Sequence, residues 1–272
     1  MTEALHTALL DLAREAARRA GALLRDGRPA DLGVHATKSS QNDVVTEMDL
    51  AAQRLIVDFL AERRPADTFL AEEGEAARAA SEGAPSQGVR WIVDPLDGTV
   101  NYLYGLPSWA VSIAAEVDGE VVAAVVEAPM RRETFHAVRG GGAWLGDRRL
   151  ACRPAPPLDQ ALVGTGFSYL AERRERQAEV VRQLITRVRD IRRSGSAALD
   201  LCDVAAGRLD GYYERGLNPW DYAAGDLVVR EAGGHTGGRP GEPLGPGLAV
   251  AASPGVFGEL QPLLDRLGAA AA

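Results

Sequence analysis

Hydrophobic periodicity changes character twice along this chain, and those changes restrict the fold more than any single residue does. Leu5, Leu9, Leu12, Ala16, Ala20 and Leu23 recur at helical spacing with Arg and Asp between them, which predicts an amphipathic helix over roughly residues 3–25, capped by Thr2. Leu50, Leu55, Ile56, Phe59 and Leu60 mark a second helix that Pro65 terminates, and the two are expected to pack side by side. From Asp67 the pattern becomes short apolar runs, Thr68–Ala71, Val89–Val93, Val111–Val117 and Val121–Glu127, punctuated by turn residues such as Asp118–Gly119. These runs read as an antiparallel sheet, with Ser81–Gly88 a surface loop and Gly140–Gly142 a tight turn.

The second half alternates. Strands are expected near Ala161–Thr165, Leu209–Glu214 and Leu248–Ala252. Helices are expected from about Ala171 to Arg187, Ser196 to Ala206 and Trp220 to Ala232, followed by a closing helix and a frayed alanine tail. Alternation of this kind favours a layered α/β architecture. Three prolines within Arg153–Pro157 mark the best internal boundary, dividing an N-terminal half, residues 1–152, from a C-terminal half, residues 158–272, of one compact unit.

Composition narrows the partners. The 272 residues carry 30 basic against 38 acidic side chains, a formal net charge of −8, so nucleic acid and anionic membrane are not expected as partners. Lys38 is the only lysine, which excludes a GxxxxGK phosphate loop. Cys152 and Cys202 form no CxxC pair and suggest neither a zinc site nor a disulfide framework, which points to a reducing, cytoplasmic setting. The N-terminus lacks a basic stretch followed by an apolar core, and Val121–Val126 is too short to cross a bilayer, so neither export signal nor anchor is expected. Gly164-Thr165-Gly166 lacks the third glycine of a dinucleotide loop, His6, His35, His136 and His235 form no cluster, and no GxSxG elbow is present.

The chemistry concentrates in acids at strand ends. In Trp91-Ile92-Val93-Asp94-Pro95-Leu96-Asp97-Gly98-Thr99 an apolar strand runs into two carboxylates three residues apart. Asp-Pro and Asp-Gly are common turn pairs, yet two acids facing one point after a buried strand repel each other unless a cation neutralises them. Hard oxygen ligands of that kind suit Mg²⁺. Glu72 and Glu73 likewise follow the apolar Phe69-Leu70-Ala71. Asp221 opens an apolar helix and Asp49 sits three residues after Thr46, so helix capping alone would account for either.

Taken in order, Lys38-Ser39-Ser40, Asp43-Val44-Val45-Thr46 with Asp49, Glu72-Glu73, Asp94-Pro95-Leu96-Asp97-Gly98-Thr99 with Asn101, Gly195-Ser196-Ala197-Ala198 and Trp220-Asp221 with Ala223-Ala224-Gly225 resemble the inositol monophosphatase family. The resemblance implies an αβαβα sandwich of the inositol monophosphatase and fructose-1,6-bisphosphatase type. It implies a Mg²⁺-dependent, Li⁺-inhibited phosphomonoesterase, usually a homodimer, that hydrolyses inositol phosphates and in some relatives other sugar phosphates, with Mn²⁺ as a substitute ion. Carried over by position, Glu72, Asp94 and the Leu96 carbonyl would hold one ion, Asp94, Asp97 and Asp221 a second, and Glu72 would help hold a weaker third. Thr99 and Asp49 match the pair that activates water. Gly98, Thr99, Gly195, Ser196, Ala197, Glu214, Asp97 and Asp221 would contact substrate, Glu214 by accepting from polyol hydroxyls. Ala71 stands where many relatives have Gly, and Tyr102 where Phe is frequent; neither touches the ligand set.

The same metal motif serves histidinol phosphate, fructose 1,6-bisphosphate or nucleotide 3′-phosphates in other relatives, and some relatives act as interaction partners in transcription or RNA metabolism. Lys38, in a chain that otherwise uses arginine, marks a place where a compact flexible charge suits and a planar fork does not. It is expected to reach toward the ion cluster or its water. Lys38→Arg should therefore lower phosphatase turnover, and parental activity in that variant would remove Lys38 from the site.

Overall fold

A computed structural model describes residues 2–29, 32–37, 44–73 and 88–272. Helices α1 (Thr2–Asp26) and α2 (Glu47–Arg63) form one outer layer, with a short ladder pairing Ala36–Thr37 to Val44–Val45 between them in the chain. Thr2 is already helical rather than a cap. Leu9, Ala13, Ala16, Ala17, Ala20 and Leu24 of α1 are buried with Met48, Ala52, Ile56, Phe59 and Leu60 of α2. The alanines bring the α1 backbone close to the sheet, where a side chain at Gly21 would meet Pro129 at 2.8 Å.

The large sheet has seven strands, β1 (Thr68–Ala71), β2 (Val89–Asp97), β3 (Ala110–Val117), β4 (Glu120–Ala128), β5 (Glu133–Val138), β6 (Gly142–Leu145) and β7 (Arg148–Arg149), bonded in chain order. The expectation of an antiparallel sheet holds except for its first pair. β1 and β2 run parallel, with Ala71 opposite Val93. That pairing brings the ends of both strands to one edge and sets Glu72 beside Asp94. Neither β1 nor β2 is amphipathic in the usual alternating way: Trp91 and Val93 face α1 and α2, while Ile92 joins the core on the other side. Both faces of the sheet must therefore be covered by helix.

The second sheet comprises β8 (Leu162–Thr165), β9 (Asp190–Arg192), β10 (Gly211–Glu214), β11 (His235–Gly237) and β12 (Ala249–Ala252), in the order β9-β8-β10-β12-β11. Between the sheets lie α5 (Ala197–Ala205) and α6 (Pro219–Glu231); α3 (Thr99–Leu103) follows β2, and α4 (Ala171–Leu184) and α7 (Pro254–Arg266) cover the outside of the second sheet. The result is two sheets and three helical layers, alternating. Strands β5, β6, β7, β9 and β11 carry too few apolar residues in alternation to announce themselves. The alanine tail is not frayed: Ala269, Ala270 and Ala272 are buried in the outer core, and the Arg215 guanidinium donates to the Ala272 carbonyl. Among the described residues no helix is long and apolar enough to cross a membrane.

α5 and α6 meet at Gly225, where an added Cβ would lie 2.7 Å from Leu201. Gly225 stands one turn after Asp221, so this contact sets how closely α6 carries that acid toward the strands. Overpacking such a contact costs about 1–3 kcal/mol. Gly225→Val is expected to lower the unfolding free energy by that amount, read as a lower urea midpoint with unchanged slope.

Candidate functional site

Asp94 and Asp97 reach one cavity because β2 is bulged. Asp94 pairs with Ser112 and Asp97 with Ala110, so three steps on β2 oppose two on β3. In a regular strand residues three apart point to opposite faces; the extra residue reverses that parity. Pro95 sits inside the bulge, where its missing N–H costs no ladder bond. The strand thus runs on to Asp97 rather than stopping in a turn at Pro95. The Leu96 N–H donates to Asp94 Oδ1 at 3.0 Å, fixing the carboxylate that is 1% exposed.

Gly98 then takes φ 96° and caps α3. A side chain there would meet the Ser108 carbonyl at 2.8 Å and the Gly195 carbonyl at 3.2 Å, so the turn requires glycine for conformation and for space. Thr99 follows, its hydroxyl 3.0 Å from Asp49 Oδ1 and 3.1 Å from the Leu96 carbonyl. Asp49 is fully buried at the third position of α2, where its Oδ2 accepts from the Thr46 N–H at 2.8 Å and from the Thr46 hydroxyl.

Asp221 repeats the device on α6. It occupies the third position of that helix, with the Asn218 N–H donating to Oδ2 at 2.6 Å, while the residue also lines the cavity. Capping and site are one arrangement at both acids. On the facing helix, the Ser196 hydroxyl and the Ala198 N–H donate to Asp97 Oδ2 at 2.6 and 2.8 Å. The donors of the Gly195–Ala197 segment are therefore spent partly on orienting an acid. Asn101, at the end of the motif, donates to the Ser108 and Ser194 carbonyls and ties that segment to α3.

These groups line a cavity of about 710 Å³. Glu72, Asp94, Leu96, Asp97, Gly98, Thr99, Gly195, Ser196, Ala197, Glu214 and Asp221 all face it, while Asp49 stands behind Thr99. Lys38 lies outside the described residues. Burial pushes the Asp94 carboxyl well above its ordinary range, and the charges of Glu72, Asp97 and Asp221 push it further; Glu72 also hydrogen-bonds it. Among the described residues no three His, Cys, Asp or Glu side chains already form a metal cage. The donor set is nonetheless all oxygen and electrostatically frustrated, and that chemistry fits a hard divalent cation.

The inositol monophosphatase family model matches residues 6–269. The chain belongs to that family. The inositol-1-monophosphatase SuhB of Mycobacterium tuberculosis H37Rv is 45% identical over 273 residues, spanning 95% of this chain and 93% of that protein. The Nus factor SuhB of Escherichia coli K12 is also 45% identical, over 83% of each chain. The crystal structure of the extragenic suppressor protein SuhB from Bartonella henselae superposes with a TM-score of 0.85 at 38% identity, covering 95% of this chain and 99% of that one.

In this family member, sequence reasoning missed residues whose signal was weak. Tyr212 donates to Glu214 Oε2 at 2.6 Å, and an added Cβ at Gly166 would overlap the Glu214 carboxylate at 1.9 Å, so Glu214 lies across a bare glycine. Desolvation carries its pKa to about 7. Asp200 of α5, 2% exposed, also lines the cavity, has one oxygen without a partner, and is raised from 3.8 to about 8 by burial and by neighbouring acids. Arg173, Arg193 and Arg215 complete the wall.

A carboxyl whose folded pKa exceeds its unfolded value binds more protons when folded, so stability falls as pH rises between the two values. For Asp200 that window runs from about 4 to about 8. The melting temperature of chelator-treated protein should decline across it, and Asp200→Asn should make the decline shallower, leaving the share that Glu214 and the other raised acids contribute.

Proposed function

We propose that this protein is a Mg²⁺-dependent phosphomonoesterase that hydrolyses inositol monophosphate to inositol and phosphate. The observation that carries the reading is the convergence of Glu72, Asp94, Asp97 and Asp221 with the Thr99–Asp49 pair on one cavity. Glu72, Asp94 and the Leu96 carbonyl would hold one ion, and Asp94, Asp97 and Asp221 another, with Glu72 contributing to a weaker third. When bound, such ions polarise the phosphoryl group, lower the pKa of a water, and stabilise charge on the departing alkoxide.

The protein's own part is positioning and proton transfer. Thr99, 9% exposed, directs its hydroxyl proton to Asp49 Oδ1, which leaves its oxygen lone pairs to accept from an attacking water. Asp49 takes no part in ligating ions; its Oδ2 is held by Thr46, so Oδ1 stays aimed at Thr99. The water's proton passes by way of Thr99 toward Asp49 as its oxygen bonds phosphorus and the ester P–O bond breaks; a second water protonates the departing alkoxide, and the hydroxide so formed takes up the proton held at Asp49. Glu214, steadied by Tyr212, faces the polyol as an acceptor for its hydroxyls, with the small residues Gly195, Ser196 and Ala197 leaving room for the ring.

Histidinol phosphate, fructose 1,6-bisphosphate and nucleotide 3′-phosphates are the competing substrates for the same machinery. A homodimer at work in the cytoplasm belongs to the same proposal. The name of the Escherichia coli relative favours a second reading, an interaction role in transcription or RNA metabolism. Phosphate release measured over this panel of esters tests the primary reading. Inositol monophosphate should turn over fastest, excess chelator should abolish the activity, and Asp94→Asn should do so while leaving the fold intact. Faster turnover of histidinol phosphate would reassign the substrate, and full activity in chelator would refute the ion-dependent mechanism.

A further inference from the structure

Tyr212 fixes one oxygen of Glu214, and further support for that acid comes from the far end of the chain. Arg215, half-buried, directly follows Glu214 at the end of β10, and its guanidinium donates to the carbonyl oxygen of Ala272. Burial and then the like charges of Arg173, Arg176 and Arg239 hold that guanidinium below its ordinary range, so the bond to Ala272 retains a group that its neighbours repel.

The tail is shaped for this place. After α7 the Leu267 N–H donates to the Leu263 carbonyl, Gly268 turns at φ 74°, and the Ala269 N–H donates back to the Leu264 carbonyl. The Ala271 N–H closes a further turn on Gly268, and Ala269 and Ala272 end 3% and 4% exposed. These two alanines share with Gly166, Phe167, Glu214 and Arg215 a void of about 10 Å³, room for at most one water. Gly166, Phe167, Glu214 and Arg215 also line the large cavity, so a single layer of residues separates the substrate space from the tail. Within that layer the Glu214 carboxylate lies where a side chain on Gly166 would be. Packing this close transmits a displacement of the tail to the carboxylate.

We propose that residues 268–272 act, through Arg215, as a positioning strap for Glu214, which sets the affinity for the polyol and takes no part in cleaving the ester. This role rests on the reading of Glu214 as the acceptor for polyol hydroxyls, and Arg215 is a positioning residue in it. Kinetics with inositol 1-phosphate are compared with those for p-nitrophenyl phosphate, whose leaving group offers Glu214 no polyol hydroxyl. The proteins are the parent, a chain stopped after Leu267, Arg215→Met, Arg215→Lys, and the truncation combined with Arg215→Met. Amide hydrogen exchange at residues 166–170 and 211–217 is followed in each.

Truncation should raise KM for inositol 1-phosphate about fivefold with kcat held, within the worth of one hydrogen bond to a charged group, and leave p-nitrophenyl phosphate turnover at the parental value. Arg215→Met should raise the same KM, and Arg215→Lys should recover most of the loss. The combined variant should be no worse than truncation alone, because both changes remove one contact. Exchange in the truncated chain should quicken at 166–170 and 211–217 but not in α1 or α2. Where truncation prevents folding, Arg215→Met against Arg215→Lys decides by the same KM and exchange readouts. Equal losses for the two esters, additive losses in the combined variant, or unchanged exchange around Glu214 overturns the strap. A parent that hydrolyses neither ester overturns the phosphatase reading, and the exchange result then decides whether the tail holds Glu214.

Discussion

Four carboxylates brought to one cavity repel one another, and most of the local architecture is explicable as the means of holding them there. Asp94 bears the greatest burden, being buried and flanked by Glu72, Asp97 and Asp221. Asp94, Asp97 and Asp221 each have a donor that fixes one oxygen: a main-chain N–H for Asp94, a hydroxyl and an N–H for Asp97, and a helix-start N–H for Asp221. Such bonds set direction but do not cancel charge. The frustration that remains is what a divalent cation would relieve, and an acidic protein thereby gains a place for an anionic ester.

The layers divide this labour. The parallel β1–β2 pair and the bulge in β2 deliver Glu72, Asp94 and Asp97 from the large sheet. α5 and α6, packed between the sheets, deliver the Asp97 donors and Asp221, and β10 of the second sheet delivers Glu214. No single element contains the site. Close contact between the two inner helices, with Gly225 against Leu201, makes the spacing of the acids a property of the core.

Much of this was legible in the residues. Helices showed in the spacing of Leu9, Ala16 and Ala20, the central strands in unbroken apolar runs, and the acids in their placement at strand ends. What stayed hidden depended on pairing. Nothing in Thr68–Ala71 says that it lies parallel to its neighbour, and nothing in Asp94-Pro95-Leu96-Asp97 distinguishes a turn from a bulge until its partner strand is known. The alanine tail misled for another reason: methyl groups carry a weak local signal, yet a crevice near α7 buries them. Asp200 and Arg173 lay outside any motif, and only the shared cavity gives them meaning.

Asp49 and Asp221 each close a capping box as well as serving the site. A helix start of this kind is worth about 1 kcal/mol, so selection for folding alone would retain both acids in a descendant that no longer turned over any ester. Glu72 and Asp94 cap no helix among the described residues, and for a protein without a cation to bind, Asp94 is a liability at the end of its strand. In any relative that has moved to another role, decay of the site should therefore begin at the strand ends and reach the helix starts last.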